Sequence, residues 1–413
     1  MSLAVLLALL LVAAPAGAAQ RETAQKATIP AAPSLPVTGA SLIAAGSDTP
    51  LWSSNGNAEL PIASTTKLMT ALVVLQHVKN LNTVFAQADW SPAPVDSQIG
   101  LIPGERMTVH DLLVALLLPS ADDAAEDLAY NVGGGSVTRF VAMMNADARA
   151  LDLDHTHYST PIGLDTPGNY SSPDDLVRLG DYMMRNWPFF RATVGLASAT
   201  LTSGRYERHV VNTDDLVGKV PWINGIKTGH TTDAGYVLVS QGTRGGLTLI
   251  ASVLGTTSEY ERDKSALALL DWGFSAFKVV RPVRAGEAFA RPKVPYEVAP
   301  ALVVAKRGYE TVVARDTRVK VVVGKLRKLS GPMAKGKVVG QLKVLVPGRP
   351  AVRIPLILAR RLPAVSSLKK VGHLIKRPFT LLVLALLIGG AAVAVAERRR
   401  RPRVLATGHL EER

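Results

Sequence analysis

Pro61-Ile62-Ala63-Ser64-Thr65-Thr66-Lys67-Leu68-Met69-Thr70 sets a hydroxyl and an amine three residues apart at the head of an apolar run. Leu68, Leu72, Val73 and Leu75 to Val78 recur at helical spacing, so Ser64 to Lys67 is expected to open a helix. Residues three apart on a helix share a face, which brings the Lys67 amine within hydrogen-bond reach of the Ser64 hydroxyl. A serine hydroxyl is protonated at neutral pH and becomes a useful nucleophile only beside such a base. Alone, Ser-x-x-Lys is weak, because most occurrences cap a helix and solvate a face. Its meaning depends on partners elsewhere in the chain.

Two partners stand out. Ser120-Ala121-Asp122 follows Leu116-Leu117-Leu118-Pro119 between two helical segments, Asp111 to Leu118 and Ala124 to Val132. Its hydroxyl could relay protons between Lys67 and a leaving group, although by itself the element reads as a helix N-cap. Lys227-Thr228-Gly229 precedes a hairpin made of Tyr236 to Ser240, a turn at Gly242 to Gly246, and Leu247 to Leu254. There a cation and a hydroxyl can hold a carboxylate at a strand edge, while Gly229 permits close backbone approach.

In this order the three elements match the set found in penicillin-binding proteins and class A β-lactamases. The flanks narrow the match: Asn212-Thr213, Gly225-Ile226-Lys227-Thr228-Gly229-His230-Thr231, Ala234-Gly235-Tyr236, Asp271-Trp272-Gly273-Phe274, Thr160-Pro161-Ile162-Gly163-Leu164 and Tyr170 to Leu176. Over residues 38 to 275 the chain resembles serine-type D-alanyl-D-alanine carboxypeptidases, the low-molecular-mass penicillin-binding proteins of peptidase family S11. The resemblance implies an α/β (α+β) serine β-lactamase/transpeptidase-like catalytic domain, an antiparallel sheet with helices. It implies peptidoglycan stem peptides ending in D-Ala-D-Ala as substrate, β-lactam antibiotics as covalent inhibitors, and no cofactor or metal.

Carried over by residue, Ser64 would attack the penultimate D-alanine carbonyl and Lys67 would take its proton. Ser120 and Lys227 would deliver a proton to the departing D-alanine, and water would hydrolyse the acyl-enzyme. The backbone N–H groups of Ser64 and His230 would hold the oxyanion. Thr228, with Arg262, would bind the terminal carboxylate, a solvated surface arginine being the alternative for Arg262. Asp122 departs from the pattern, since the family usually has Asn there. An ionised Asp cannot donate a hydrogen bond, and near Lys67 and Lys227 it should raise their pKa values and slow acylation.

Three other readings compete. A β-lactamase shares the three elements, but no obvious Glu-x-x-Asn segment lies between Ser120 and Lys227. A catalytically impaired wall-binding or scaffold protein has Asp122 as its sequence argument. A metallopeptidase has only His155 and His157, without an HExxH motif, and hydrogen-bonded structural histidines are the simpler account.

The formal charge of +14 over 413 residues conceals an asymmetry. Residues 1–275 hold 17 Lys and Arg against 26 Asp and Glu, and residues 276–413 hold 30 against 7, so the front carries −9 and the back +23. No nucleic-acid module accompanies the basic half, so anionic membrane lipid is the better-matched partner than nucleic acid. The absence of cysteine excludes thiol catalysis, Cys-ligated zinc and disulfides.

Leu3 to Ala14 and Ala16-Gly17-Ala18 read as a signal peptide over residues 1–19, with an uncleaved anchor as the alternative. A linker follows over 20–38, in which Leu35-Pro36-Val37-Thr38-Gly39 matches a sortase pentapeptide by chance. The catalytic domain is expected at 39–275, beginning with a hairpin over Ala40 to Leu60. A Val-rich small all-β domain is expected at 276–363 and a basic linker at 364–378. Phe379 to Ala396 is apolar apart from Thr380, about 27 Å of helix, enough to span a bilayer core. Arg398 to Arg401 then place the tail, 397–413, in the cytoplasm and the rest of the mature chain outside.

Overall fold

The computed structural model describes residues 29–87, 97–297, 299–366 and 378–400. The expected signal peptide, most of the basic linker and residues 401–413 of the tail lie outside the described residues. The chain divides into two compact units. One holds the described residues up to Val279 together with Val312–Thr317; the other holds those of Val280–Thr311 and from Arg318 onward.

In the first unit, strands β1 (Gly39–Ala44) and β2 (Trp52–Ser54) form the expected hairpin. Short ribbons pair β3 (Val84–Ala86) with β4 (Arg106–Thr108), and β5 (Ser198–Leu201) with β6 (Arg208–Val211). With β7 (Ile223–Thr231), β8 (Gly235–Arg244) and β9 (Leu247–Thr256), the hairpin builds an antiparallel sheet of order β2-β1-β9-β8-β7. Its central strands are apolar on both faces because both are covered. Ile43, Val237, Val239, Ile250 and Leu254 join one core, and Leu42, Leu238, Leu249, Ala251 and Val253 the other.

Helix α1 (Lys67–His77) runs through the first core, with Lys67 to Leu75 all buried, so this stretch is covered around its whole circumference. Around it lie α2 (Val109–Leu117) and α3 (Asp122–Val132), close to their expected limits, and α4 (Val137–Ala150). Two further helices, α5 (Pro173–Asn186) and α6 (Pro188–Val194), follow a stretch that Pro161, Pro167 and Pro173 punctuate. Pro173 in fact begins α5, where a missing N–H is harmless, and the Ser172 hydroxyl caps it by accepting from Asp175 N–H. Helix α7 (Glu259–Ala276), capped by Ser258, backs the second core.

Strands β10 (Phe277–Val283) and β13 (Tyr309–Ala314) form a two-stranded ribbon. In the second unit β11 (Ala288–Ala290), β12 (Val303–Ala305), β14 (Lys320–Val323), β15 (Val338–Leu345) and β16 (Val352–Leu358) make a sheet of order β11-β12-β16-β15-β14. Its core holds Val303, Leu342, Val344, Ile354, Leu356 and Leu358. Helix α8 (Pro378–Arg400) is long and apolar enough to cross a membrane.

Candidate active site

Ser64 lies in a 3-10 turn, Ala63–Thr66, that feeds α1. Ala63 carries φ 47°, a left-handed conformation that a β-carbon disfavours. The loop Thr160–Leu164 packs against this turn. A β-carbon on Gly163, itself at φ 93°, would sit 2.1 Å from the Ala63 carbonyl oxygen, so only glycine fits. The same loop presents the Pro161 carbonyl to Thr70 Oγ1 at 2.6 Å and the Ile162 carbonyl to Lys67 Nζ at 3.1 Å. Lys67 is fully buried, and its Nζ donates to Ser64 Oγ at 2.7 Å.

The loop between α2 and α3 brings Ser120 and Asp122 to the same place. Ser120 is also left-handed, at φ 63°, and it is not the helix cap, a position taken by Ala121. Its hydroxyl is buried and has no hydrogen-bond partner among the described residues. Asp122 Oδ1 lies 2.6 Å from Lys67 Nζ, and Oδ2 accepts from Ser97 N–H at 3.1 Å. Asp123 accepts from Ile99 and Leu101 N–H, so the two acids at the α3 N-terminus, where negative charge is favoured, also pin segment 97–101 beside the site. Sequence alone carries no signal for that segment.

Lys227-Thr228-Gly229-His230 lies within β7, an edge strand that precedes the β8–β9 hairpin, as expected, and pairs with β8. A β-carbon on Gly229 would fall 2.8 Å from Ser64 N and 3.0 Å from Ala63 Cβ, so glycine lets β7 lie against the turn that carries Ser64. Thr228 Oγ1 is 2.7 Å from Thr213 Oγ1, and exposed His230 stacks on Tyr236 with ring centroids 4.0 Å apart. Lys227 is buried and its Nζ donates to the Thr228 carbonyl at 3.0 Å.

Asp122 does not raise Lys227 overall. Burial first, then the Lys67 charge, hold the Lys227 amine well below the usual lysine range, and the opposing pull of Asp122 and Asp214 is outweighed. Asp214, which the sequence reading missed, is almost fully buried, and desolvation pushes its carboxyl up to about 6. Arg262, on α7, is buried rather than solvated. It pairs with Asp263 at 2.8 Å, and its charge acts on Lys227 and Asp214, but no hydrogen bond joins it to Thr228 among the described residues. His157 Nδ1 contacts the Gly168 carbonyl at 2.5 Å and His155 Nδ1 lies 3.8 Å from Glu59, contacts that tie both rings into local structure.

The result is a serine held by one buried lysine, a second buried lysine with a depressed proton affinity, and an unpartnered serine hydroxyl. The D-alanyl-D-alanine carboxypeptidase family model, peptidase S11, matches residues 26–258. This chain belongs to that family. D-alanyl-D-alanine carboxypeptidase DacA of Escherichia coli K12 is 30% identical over 370 residues, covering 86% of this chain and 90% of that one. A penicillin-binding protein 5 structure from Haemophilus influenzae superposes with TM-score 0.65 at 26% identity, over 81% of this chain and 99% of that one. The Streptomyces K15 DD-transpeptidase structure gives TM-score 0.56 at 34% identity, over 59% and 99%. The S11 chain described here is therefore a serine-type hydrolase with D-Ala-D-Ala carboxypeptidase activity in peptidoglycan metabolism, on the serine β-lactamase/transpeptidase-like fold, and a serine acyl-enzyme is the course expected of its family.

Proposed function

We infer that Ser64 carries this activity, removing the terminal D-alanine of stem pentapeptides and so limiting cross-linking. The observation that carries the assignment is the 2.7 Å contact from buried Lys67 to Ser64 Oγ. Neutral Lys67 takes the Ser64 proton as Oγ attacks the penultimate carbonyl, with Ser64 and His230 N–H as oxyanion donors. Ser120 and Lys227 pass a proton to the departing amine. The depressed proton affinity of Lys227 suits that transfer, and an incoming substrate carboxylate would restore its charge. Thr228 binds that carboxylate. Arg262 acts on it through its field rather than by a contact.

Asp122 tunes the site. Its carboxylate against Lys67 favours the ammonium form, so the resting enzyme holds its base protonated more often than an amide at 122 would allow. The unpartnered Ser120 hydroxyl and the intact Ser64–Lys67 contact favour this slowed enzyme over a silent scaffold.

In this reading residues 276–363 form a small β-rich domain between the catalytic domain, 39–275, and a basic linker. Helix α8 spans the cell membrane, with the catalytic domain outside and a basic cytoplasmic tail; the apolar length of α8 and its terminal arginines support it. D-Alanine release from an acyl-Lys-D-Ala-D-Ala peptide tests the assignment. It should disappear in both Ser64→Ala and Lys67→Met, with thermal unfolding retained. Release persisting in Ser64→Ala would place the nucleophile elsewhere.

A further inference from the structure

The outer face of the second unit's sheet has an unusual composition. In the register of β14, β15 and β16, Val322 lies opposite Lys343 and Lys343 opposite Arg353, so these three share one row of one face. Leu345 and Val338 lie on that face as well, and Val322, Val338 and Leu345 are all exposed. Lys343 and Arg353 are exposed beside them. Like charges directly opposite each other on adjacent strands repel, and no Asp or Glu occurs in any of the three strands to offset them. A face that has only to be soluble intersperses both signs and avoids exposed branched aliphatics.

We propose that this face docks on the headgroups of an anionic lipid bilayer, with Lys343 and Arg353 on the phosphates and Val322, Val338 and Leu345 at the acyl boundary. The chemistry is that of interfacial membrane binding, where cations pair with anionic lipid and neighbouring apolar groups enter the interface. The choice of a bilayer as occupant rests on the reading of α8 as a span. Only residues 363–377 separate the last bridged residue of the sheet unit, Leu362, from the start of α8. At about 3.5 Å per residue that tether reaches at most about 50 Å, so the face is held at high effective concentration over the bilayer surface.

The absence of cysteine allows a clean test in the full chain. Single Val322→Cys and Val395→Cys variants, each carrying a fluorophore, are reconstituted in nanodiscs of phosphatidylcholine with or without phosphatidylglycerol. Quenching by spin-labelled lipid is then read. The 322 label should be quenched in anionic discs, weakly or not at all in neutral discs, and released by Lys343→Glu with Arg353→Glu. Thermal unfolding unchanged from the wild type, with D-alanine release retained, shows that both units of the charge-reversed protein are folded.

The 395 label reports separately on α8, and its failure to quench would refute the span alone. Whatever that label shows, a 322 label left unquenched in anionic discs overturns the proposal. Protection of the 322 label by soluble polyphosphate, with no response to anionic lipid, would overturn it too and assign the face to an anionic wall polymer.

Discussion

At the scale of single residues, the site turns on two contacts to one amine: Ser64 Oγ at 2.7 Å and Asp122 Oδ1 at 2.6 Å from Lys67 Nζ. In the proposed mechanism the first contact makes the nucleophile, and the Asp122 charge opposes loss of the proton that must leave before it forms. In Asp122→Asn the amide oxygen can keep the bond from Ser97 N–H while the negative charge is gone. The acid limb of kcat/KM should then move to lower pH by about one unit or more, with faster D-alanine release near neutrality. A profile unchanged from the wild type contradicts that role. Asp214 gives a second, thermodynamic test. Its carboxyl is raised from 3.8 to about 6, so between those values the folded state binds more protons than the unfolded one and stability falls as pH rises. The penalty is complete above about pH 6 and absent below about pH 4. Asp214→Asn should flatten the fall of Tm across that window; an equally steep fall would mean that another group titrates there.

At the scale of elements, the proposed mechanism depends on how closely β7 approaches the turn that carries Ser64. Gly229→Ala would place a methyl 2.8 Å from Ser64 N, within a covered part of the sheet edge. Displacing that N–H from the oxyanion position should lower the acylation rate by about 100-fold while leaving most of the unfolding transition intact. Stopped-flow acylation by a chromogenic penicillin measures it, and a wild-type rate would remove β7 from the oxyanion site. Much of this architecture is legible in the chain. The apolar spacing from Leu68 onward gives α1, and the runs through Leu113, Leu128 and Phe140 give the helices around it. The Gly245-Gly246 turn gives the β8–β9 hairpin. Other parts are obscured for identifiable reasons. Gly225 and Gly229 depress the strand signal of β7, although both are there for close packing. Pro173 resembles a loop breaker yet starts a helix, and the polar first turns of α7 hide its length. The Ser64–Lys67 pair follows from spacing along one helix start. The convergence of Asp122 and the Ile162 carbonyl on it, and of the Asp214 charge on Lys227, depends on chain crossings that no local pattern encodes.

At the scale of the whole molecule, charge is partitioned along the chain, −9 before residue 276 and +23 after it. The acidic part contains Ser64, the proposed nucleophile, with Lys67 and Lys227. The basic part contains the sheet proposed to dock on lipid and the apolar helix that ends in arginines. Such a division suits an enzyme held at one surface while its substrate, a polymer of the wall, stays in place. All of it depends on Ser64 forming a covalent intermediate. The most direct measurement is the intact mass of the full chain after incubation with a penicillin, run beside Ser64→Ala. One added penicilloyl group is expected in the wild-type protein, located on the peptide that contains Ser64, and none in Ser64→Ala. A folded wild-type protein that gains no mass, or a Ser64→Ala protein that gains the same mass, would contradict the assignment of Ser64 as nucleophile.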